Sequence, residues 1–250
     1  MATKKVFIEA GHGGSDPGAV GYVTESKKAI KLVNFTYDYL KANYTVSLKK
    51  DITDDSTTTI CKRANNWGAD LFISIHFNAG KGDGFEALVY GSSTESLGDM
   101  FCKYAIKAGQ NSRGTKYRPD LNVLKSTNMK AVLCEIAFVD NWKDIKDWNE
   151  DSELKKMAEY LAKAAADYLN LPLKKKGLVD CKDFKVEVVS KTLAVRQKPA
   201  STAKKLTTIK NGEIYTIVKK TSDGKWGLLK AGPIVGSSYI NLSTKYVKKK

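Results

Sequence analysis

The two histidines of the chain occupy matching places in the sequence pattern. His12 falls in the glycine-rich segment GHGGSDPG, directly after the apolar segment VFIEA, and His76 ends the apolar segment LFISIH. In open α/β sheets, sites form where the carboxyl ends of strands pass into loops. One histidine after a strand is usually an ordinary loop residue, whereas two in equivalent positions predict that both rings face one site.

Two glutamates can complete such a site. Glu25 opens the first long helical pattern, and Glu135 lies inside the apolar segment AVLCEIAFV. Two imidazoles and one carboxylate are a common ligand set for a catalytic zinc ion, which keeps its fourth position for water and lowers the pKa of that water to about 7. A carboxylate that is not a ligand can carry a proton from the water to a leaving amine. Glu135 suits that role, because a carboxylate in apolar surroundings is costly without a partner or a function.

The same glutamate and the same glycine-rich loop also suit roles unrelated to a metal. Glu25 fits an ordinary helix N-terminus, where the helix dipole favours acidic side chains. A glycine-rich loop after a strand can hold a phosphate group instead of a metal. This loop lacks both the GxxxxGK[ST] lysine and the GxGxxG spacing, so the pattern favours a metal site over a phosphate site.

Strand-like and helical segments alternate through the first two thirds of the chain. This alternation predicts an α/β domain with a mostly parallel, twisted sheet flanked by helices. The pattern changes after LNLPLKKKGLVD, where a proline, three lysines and a glycine indicate a linker. The segments beyond it are short and separated by turns, which predicts a small all-β, SH3-like barrel. The predicted domains are residues 1–171 and 180–250, joined by a linker over residues 172–179.

The positive charge is concentrated in the predicted second domain. Residues 172–250 carry 19 basic and 5 acidic residues, whereas residues 1–171 carry 23 and 22. This asymmetry predicts a polyanionic partner: nucleic acid, a membrane surface or an acidic cell-wall polymer. No apolar run is long enough to span a bilayer and no secretory signal opens the sequence, so we expect a cytosolic protein with no membrane insertion. The four cysteines form no CxxC pair and are expected to be reduced, mostly core residues.

The residues singled out above occur in an order typical of one enzyme family. Residues 1–170 resemble the zinc-dependent N-acetylmuramoyl-L-alanine amidases of bacteria and phages in GHGGSDPGAVG, in the glutamate that opens the next helix, in DLFISIHFNA and in CEIAFVDN. The resemblance implies a Zn²⁺ ion with three protein ligands, one catalytic acid/base and two supporting residues: His12, Glu25 and His76 as ligands, Glu135 as acid/base, Asn78 and Glu9 as supports. Glu9 stands where the family usually has an aspartate, and either acid can accept a hydrogen bond next to the ligands.

The second predicted domain resembles a different family. Residues 180–248 resemble bacterial SH3-type cell-wall-binding domains in TLAVRQKPA, GEIYTIV, KWGLLK and GSSYINLSTKYV. The resemblance implies binding to peptidoglycan peptides or to anionic wall polymers. Tyr215, Trp226 and Tyr239 are the candidate wall-binding aromatics, and the alternative is that they fill the interior of the small barrel.

Together these patterns predict a peptidoglycan hydrolase that cuts the amide bond between N-acetylmuramic acid and L-alanine. We expect a phage or prophage endolysin that stays in the host cytoplasm until lysis and then acts on the wall of a Gram-positive host. A zinc peptidase that cuts inside the stem peptide is the rival within the same chemistry. A non-catalytic protein that binds through its basic barrel is the alternative from another class. Nucleic acid is not the expected partner, since the chain has no aromatic-rich RNA-reading signature.

Overall fold

The structure is a computed structural model that describes residues 2–174, 177–233 and 236–250. The chain divides into two compact units, residues 1–174 and 175–250. The predicted linker, residues 172–179, begins inside the first unit, since Pro172 accepts a 2.8 Å backbone hydrogen bond from Thr45. It ends inside the second unit, where a strand begins at Leu178. The lysines at positions 175 and 176 of that linker lie outside the described residues.

The first unit contains a six-stranded sheet with the order β2-β1-β3-β6-β4-β5. Its strands are β1 (Lys5–Ala10), β2 (Ser47–Asp51), β3 (Leu71–Asn78), β4 (Phe85–Val89), β5 (Ser112–Tyr117) and β6 (Lys130–Phe138). Four of its strand pairs are parallel and the β4–β6 pair is antiparallel. The mostly parallel sheet with flanking helices that the sequence predicted is thereby confirmed. The sequence pattern did not predict β5, because SRGTKY contains no apolar run.

Helices cover both faces of this sheet. They are α1 (Glu25–Asn43), α2 (Thr57–Trp67), α3 (Glu95–Ala108), α4 (Asn122–Lys125), α5 (Trp142–Ile145) and α6 (Asp151–Leu169), with 3₁₀ turns at Ser92–Thr94 and Lys146–Trp148. The long helices α1, α3 and α6 pack on one face, over a core that includes Val6 and Ile73. The helices α2 and α4 pack on the other face, over Phe7 and Phe72. Each such large apolar side chain stabilises the fold by roughly 1.5–3 kcal/mol when it is fully buried.

The ends of α2 are well defined, which matters because this helix borders the site described below. Ser56 Oγ accepts a hydrogen bond from the Thr59 backbone N–H, and Gly68 ends the helix with a φ of 67°. These are the side-chain cap and the left-handed C-terminal residue that α-helices favour. Ile60 and Ala64 bury one side of the helix against the sheet.

Alternation along the strands decides which side chains can reach the site. Successive side chains of a strand point to opposite faces, so Phe7 and Glu9 share the face that α2 and α4 cover. The parallel register pairs His76 of β3 with Glu135 of β6 on this same face. On this face Phe7, Phe72 and Leu133 are each followed, nearer the carboxyl end of the strand, by a polar side chain. Its polar side chains therefore gather at the carboxyl ends of these strands, as the sequence predicted.

The second unit is built from antiparallel strands in the order β13-β7-β10-β11-β12-β8-β9. They are β7 (Leu178–Val188), β8 (Thr192–Arg196), β9 (Lys205–Lys210), β10 (Ile214–Thr221), β11 (Trp226–Leu229), β12 (Tyr239–Asn241) and β13 (Val247–Lys249). Aliphatic side chains such as Val188, Val195, Ile217 and Ile240 form its buried core. The prediction of an all-β second part is confirmed.

The cysteines are unpaired, and three of them are buried: Cys61, Cys102 and Cys134. Burial raises the pKa of Cys61 to about 11, which keeps this thiol protonated and unreactive at neutral pH. The prediction of reduced, mostly buried thiols matches this arrangement. Among the described residues, none of the helices is both long and apolar enough to cross a bilayer.

Candidate metal centre

The loop between β1 and α1 brings His12 and Glu25 next to His76 at the end of β3. His12 itself adopts a φ of 62°, in the left-handed region. A Cβ atom at Gly11 would lie 2.1 Å from the His76 ring, and one at Gly18, where φ is 64°, would lie 2.6 Å from both His12 and Glu25. Glycine is required at both positions, because a larger side chain would push the three residues apart.

Three side chains converge on one point. One donor atom each from His12, Glu25 and His76 lies within 4.8 Å of the other two. The Nε2 atom of His12 is 3.4 Å from Glu25 Oε2, and the Nδ1 atom of His76 is 3.0 Å from Glu25 Oε1. The two imidazole rings meet edge to face, with centroids 5.2 Å apart and an angle of 81° between their planes. This arrangement directs nitrogen and oxygen donors at a common centre.

Further hydrogen bonds hold these donors in place. Asp16 Oδ2 lies 2.7 Å from His12 Nδ1, which fixes the orientation of the ring and turns Nε2 toward Glu25. The Glu25 carboxylate accepts backbone hydrogen bonds from Ala19 at 2.8 Å and from Phe77 at 3.0 Å. Burial works against ionisation of Glu25, but these bonds and His76 hold its pKa below the usual range. Glu25 is therefore an anion at neutral pH.

The charge around His76 favours a bound cation. Burial alone would lower the pKa of His76, but the carboxylates of Glu25, Glu9 and Glu135 raise it to about 9. A pocket that stabilises an extra proton in this way also attracts a metal cation. Two imidazoles and a carboxylate are ligands that zinc prefers, and three protein ligands leave a position for water. The residues present fit a zinc ion.

Glu135 lies beside this centre without joining the three donors. It is the register partner of His76 across β3 and β6. Burial raises the pKa of Glu135 to about 7. Its Oε2 atom is buried and has no hydrogen-bond partner among the described residues. Such a carboxyl group can give and take a proton at neutral pH.

A cavity of about 230 Å³ opens next to the two histidines. Its floor is apolar and includes Ile60, Val123 and Leu133. Its lining also includes the exposed acidic residues Asp54 and Asp55, which lie just before α2. The cavity is large enough for part of a substrate to lie against the metal centre.

Known proteins share the first unit of this chain. Residues 6–167 match the family model Amidase_3, N-acetylmuramoyl-L-alanine amidase. The chain belongs to this amidase family. It is 33% identical to the endolysin of Bacillus phage SPP1 over 98% of both chains. It is also 35% identical to the N-acetylmuramoyl-L-alanine amidase CwlM of Bacillus licheniformis, over 67% of this chain and 69% of that protein.

Solved structures of amidases have the same fold. The catalytic domain of CwlV, an N-acetylmuramoyl-L-alanine amidase from Bacillus (Paenibacillus) polymyxa var. colistinus, matches with a TM-score of 0.64 and 27% identity, over 68% of this chain and 100% of that domain. The chain is therefore an N-acetylmuramoyl-L-alanine amidase, which acts on peptidoglycan. This confirms the predicted activity over both the zinc peptidase and the non-catalytic binding protein.

Within the described part of the chain, neither predicted supporting residue is hydrogen-bonded to His12, Glu25 or His76. Glu9 is 3% exposed and accepts a hydrogen bond from Ser74, so its influence on His76 is electrostatic. Asn78 directs its amide nitrogen at Glu86 Oε2, 3.4 Å away, and its oxygen accepts from the Ala79 backbone. Their supporting roles remain predictions.

Sequence reasoning missed two parts of the site. Asp16, which orients His12, follows the histidine by four residues, and its place in GSDPG is typical of an ordinary turn residue. Glu86 is 6% exposed and pairs in register with Glu135. The signal that identified Glu135, an acid inside an apolar strand, is also present in FEALV and could have identified Glu86.

The predicted wall-binding aromatics of the second unit are mostly covered. Trp226 is 8% exposed and Tyr239 is 9% exposed, so neither offers a ring face to a ligand. Tyr215 is partly buried against the core, and its hydroxyl donates a 3.0 Å hydrogen bond to Glu213. Burial favours the alternative use of Trp226 and Tyr239 as structural residues of the barrel.

Proposed function

We propose that this amidase holds a zinc ion with His12, Glu25 and His76 and hydrolyses the amide bond between N-acetylmuramic acid and L-alanine. The observation that supports this most is the convergence of three donor atoms within 4.8 Å. When bound, zinc supplies Lewis acidity, which polarises a carbonyl group and acidifies water.

Glu135 is the general acid/base of the proposed mechanism. Burial raises the pKa of Glu135 in the metal-free protein, and a bound cation would favour its ionised form, which is the form that accepts a proton from water. Its unpaired Oε2 atom takes the proton of the attacking water and passes it to the nitrogen of L-alanine as this amine leaves. Asp16 contributes by keeping His12 in one orientation through the cycle.

We further propose that the protein is a phage or prophage endolysin, which reaches the wall of a Gram-positive host from the host cytoplasm and lyses the cell. The likeness to the SPP1 endolysin supports this, because it extends over 98% of both chains and so includes the second unit. In this proposal the second unit is an SH3-type module that keeps the enzyme on its insoluble substrate. Binding at a second site raises the effective concentration of substrate bonds at the first.

The proposed ligand of the second unit is an anionic wall polymer. A cavity of about 420 Å³ in this unit is lined by the apolar side chains of Phe184 and Leu242 and by Lys182, Lys220 and Lys249. The three lysines are exposed. Since Trp226 and Tyr239 are covered, these lysines are better candidates than the aromatics for contacts with a polyanion.

The decisive experiment combines metal analysis with Glu135→Gln. We expect the variant to retain one zinc ion per chain and its kcat for release of L-alanine amino groups from Gram-positive walls to fall by about 10²–10⁴-fold. His76→Ala should lose both the metal and the activity. Glu150→Gln, at an exposed glutamate, is the matched control and should behave as wild type. A Glu135→Gln enzyme with normal activity, or a wild-type enzyme that works fully without metal, would contradict the mechanism.

A further inference from the structure

A charged cluster lies beside Glu135, on the side away from the metal centre. Glu86 in β4 is the register partner of Glu135 in β6. Its Oε1 atom accepts a 2.6 Å hydrogen bond from Lys116 Nζ and another from Arg113 Nε, both from β5. Burial disfavours the ionised form of Glu86, yet the two cations keep its pKa below the usual range. Glu86 is therefore a buried anion held by two bases.

A β-bulge brings the two bases together. Phe85 of β4 pairs with Ser112 of β5, but Ala87 pairs with Thr115, so β5 has one extra residue at this point. Residues three apart, such as Arg113 and Lys116, point to opposite faces of a regular strand. The extra residue turns both side chains to the face of Glu86. Bulges of this kind often re-aim side chains next to active sites.

The cluster has one positive charge in excess. Arg113 and Lys116 share a single carboxylate, that of Glu86. Their side chains are 40% and 44% exposed, respectively. Among the described residues, the two terminal nitrogens of Arg113 have no hydrogen-bond acceptor, and the guanidinium group lies 5.3 Å from the centre of the Phe138 ring, which restrains its position. Preoriented, unused donors with a net positive charge suit a second carboxylate.

The proposed mechanism decides which part of the substrate lies over this cluster. Glu135 protonates the leaving amine, so the peptide departs on the Glu135 side of the metal centre. The sheet order continues from β6 to β4 and β5 on that side, where Arg113 and Lys116 lie. The cavity on the β1 side, with its apolar floor and exposed acidic residues, is left for the muramoyl part.

We propose that Arg113 and Lys116 bind a carboxylate of the stem peptide, on a residue that follows L-alanine. Arg113 and Lys116 thereby favour substrates with this carboxylate over substrates in which a neutral carboxamide replaces it. This rests on the proposed function, because the direction of the peptide follows from the role of Glu135. Arg113 and Lys116 are specificity residues and take no part in bond cleavage.

The test uses two synthetic muramoyl tripeptides that differ only in whether the residue after L-alanine carries a free carboxylate or a carboxamide. For the wild-type enzyme with zinc, we expect kcat/KM to be about 10- to 100-fold higher for the carboxylate substrate. Arg113→Gln and Lys116→Gln should each raise KM for the carboxylate substrate and bring the ratio toward one, with little change for the carboxamide. Arg113→Lys should restore part of the preference. Lys31→Gln, at an exposed lysine that pairs with Asp151 at 2.9 Å, is the matched control.

Each outcome separates the proposals. Equal kcat/KM for the two substrates in the wild-type enzyme would overturn the carboxylate subsite and leave the amidase mechanism intact. Single variants that lose activity equally on both substrates, or keep the full preference, would also overturn it, because the pair would then have a structural role or none. Failure of the zinc-loaded wild type to cleave either substrate would instead count against the proposed function. Each single variant leaves one cation on Glu86, so we expect both to fold.

Discussion

Replacing Glu135 by glutamine is expected to stabilise the metal-free protein at alkaline pH. Burial raises the pKa of Glu135 from 4.5 to about 7, and the nearby carboxylates of Glu25 and Glu86 add to this, whereas His76 opposes it. Ionising such a group costs the folded state free energy. Glutamine has nearly the same shape and stays neutral, so the variant avoids that cost.

The expected size follows from the two pKa values. Below pH 4.5, Glu135 is protonated in the folded and the unfolded chain, and the substitution should change little. Between pH 4.5 and about 7, the unfolded chain has lost this proton while the folded chain keeps it, so each pH unit lowers the stability of the wild type by about 1.4 kcal/mol relative to the variant. Above pH 7 both states are ionised, and the difference levels off at about 3 kcal/mol.

Urea unfolding of the full chain at pH 4, 6 and 8, with a chelator present, measures this difference. Tryptophan fluorescence reports mainly on the first unit, because Trp67, Trp142 and Trp148 lie there and only Trp226 lies in the second. The metal is removed because a bound cation would itself favour the ionised carboxylate. Glu150→Gln, at an exposed glutamate, is the control for the loss of one acidic side chain.

The reasoning would be refuted if Glu135→Gln were no more stable than the wild type at pH 8. It would also be refuted if the variant gained the same amount at pH 4 as at pH 8, since a constant gain would reflect packing and not ionisation. A confirmed gain would mean that the buried carboxyl group of Glu135, which the proposed mechanism needs for proton transfer, lowers the free energy of unfolding of this amidase.

Two further predictions concern the metal and the wall. Asp16→Asn should weaken zinc affinity about 10- to 100-fold in a chelator competition, because the ring of His12 loses the carboxylate that orients it; an unchanged affinity would remove Asp16 from the site. Replacing Lys182, Lys220 and Lys249 together by glutamine should weaken binding of the full chain to Gram-positive walls in a sedimentation assay. The binding of the variant should also depend less on salt concentration, because salt screens the attraction of exposed charges beyond about 8 Å at physiological ionic strength. Binding with an unchanged salt dependence would exclude this cavity as the anion site.

The convergence of the two histidines could be predicted from the sequence because it depends on a general rule of sheets. His12 and His76 each follow a strand made obvious by its apolar residues, and adjacent parallel strands end on the same side. The position of Glu25 could be predicted for a different reason, since the sequence pattern shows where a long helix begins. The role of Asp16 could not be predicted, because its hydrogen bond to His12 depends on the left-handed backbone at His12, which the sequence does not reveal.

The basic pair beside Glu135 shows what limits this kind of inference. The strand that carries it, SRGTKY, lacks the apolar pattern by which strands are recognised, because it lies at the edge of the sheet. Even with the strand known, regular alternation would assign Arg113 and Lys116 to opposite faces. Only the bulge at Arg113–Gly114, where Gly114 adopts a φ of 83°, places both on Glu86. Donor side chains at the ends of central strands can therefore be predicted from sequence, whereas the proposed peptide-binding contacts depend on irregular backbone at the edge of the sheet.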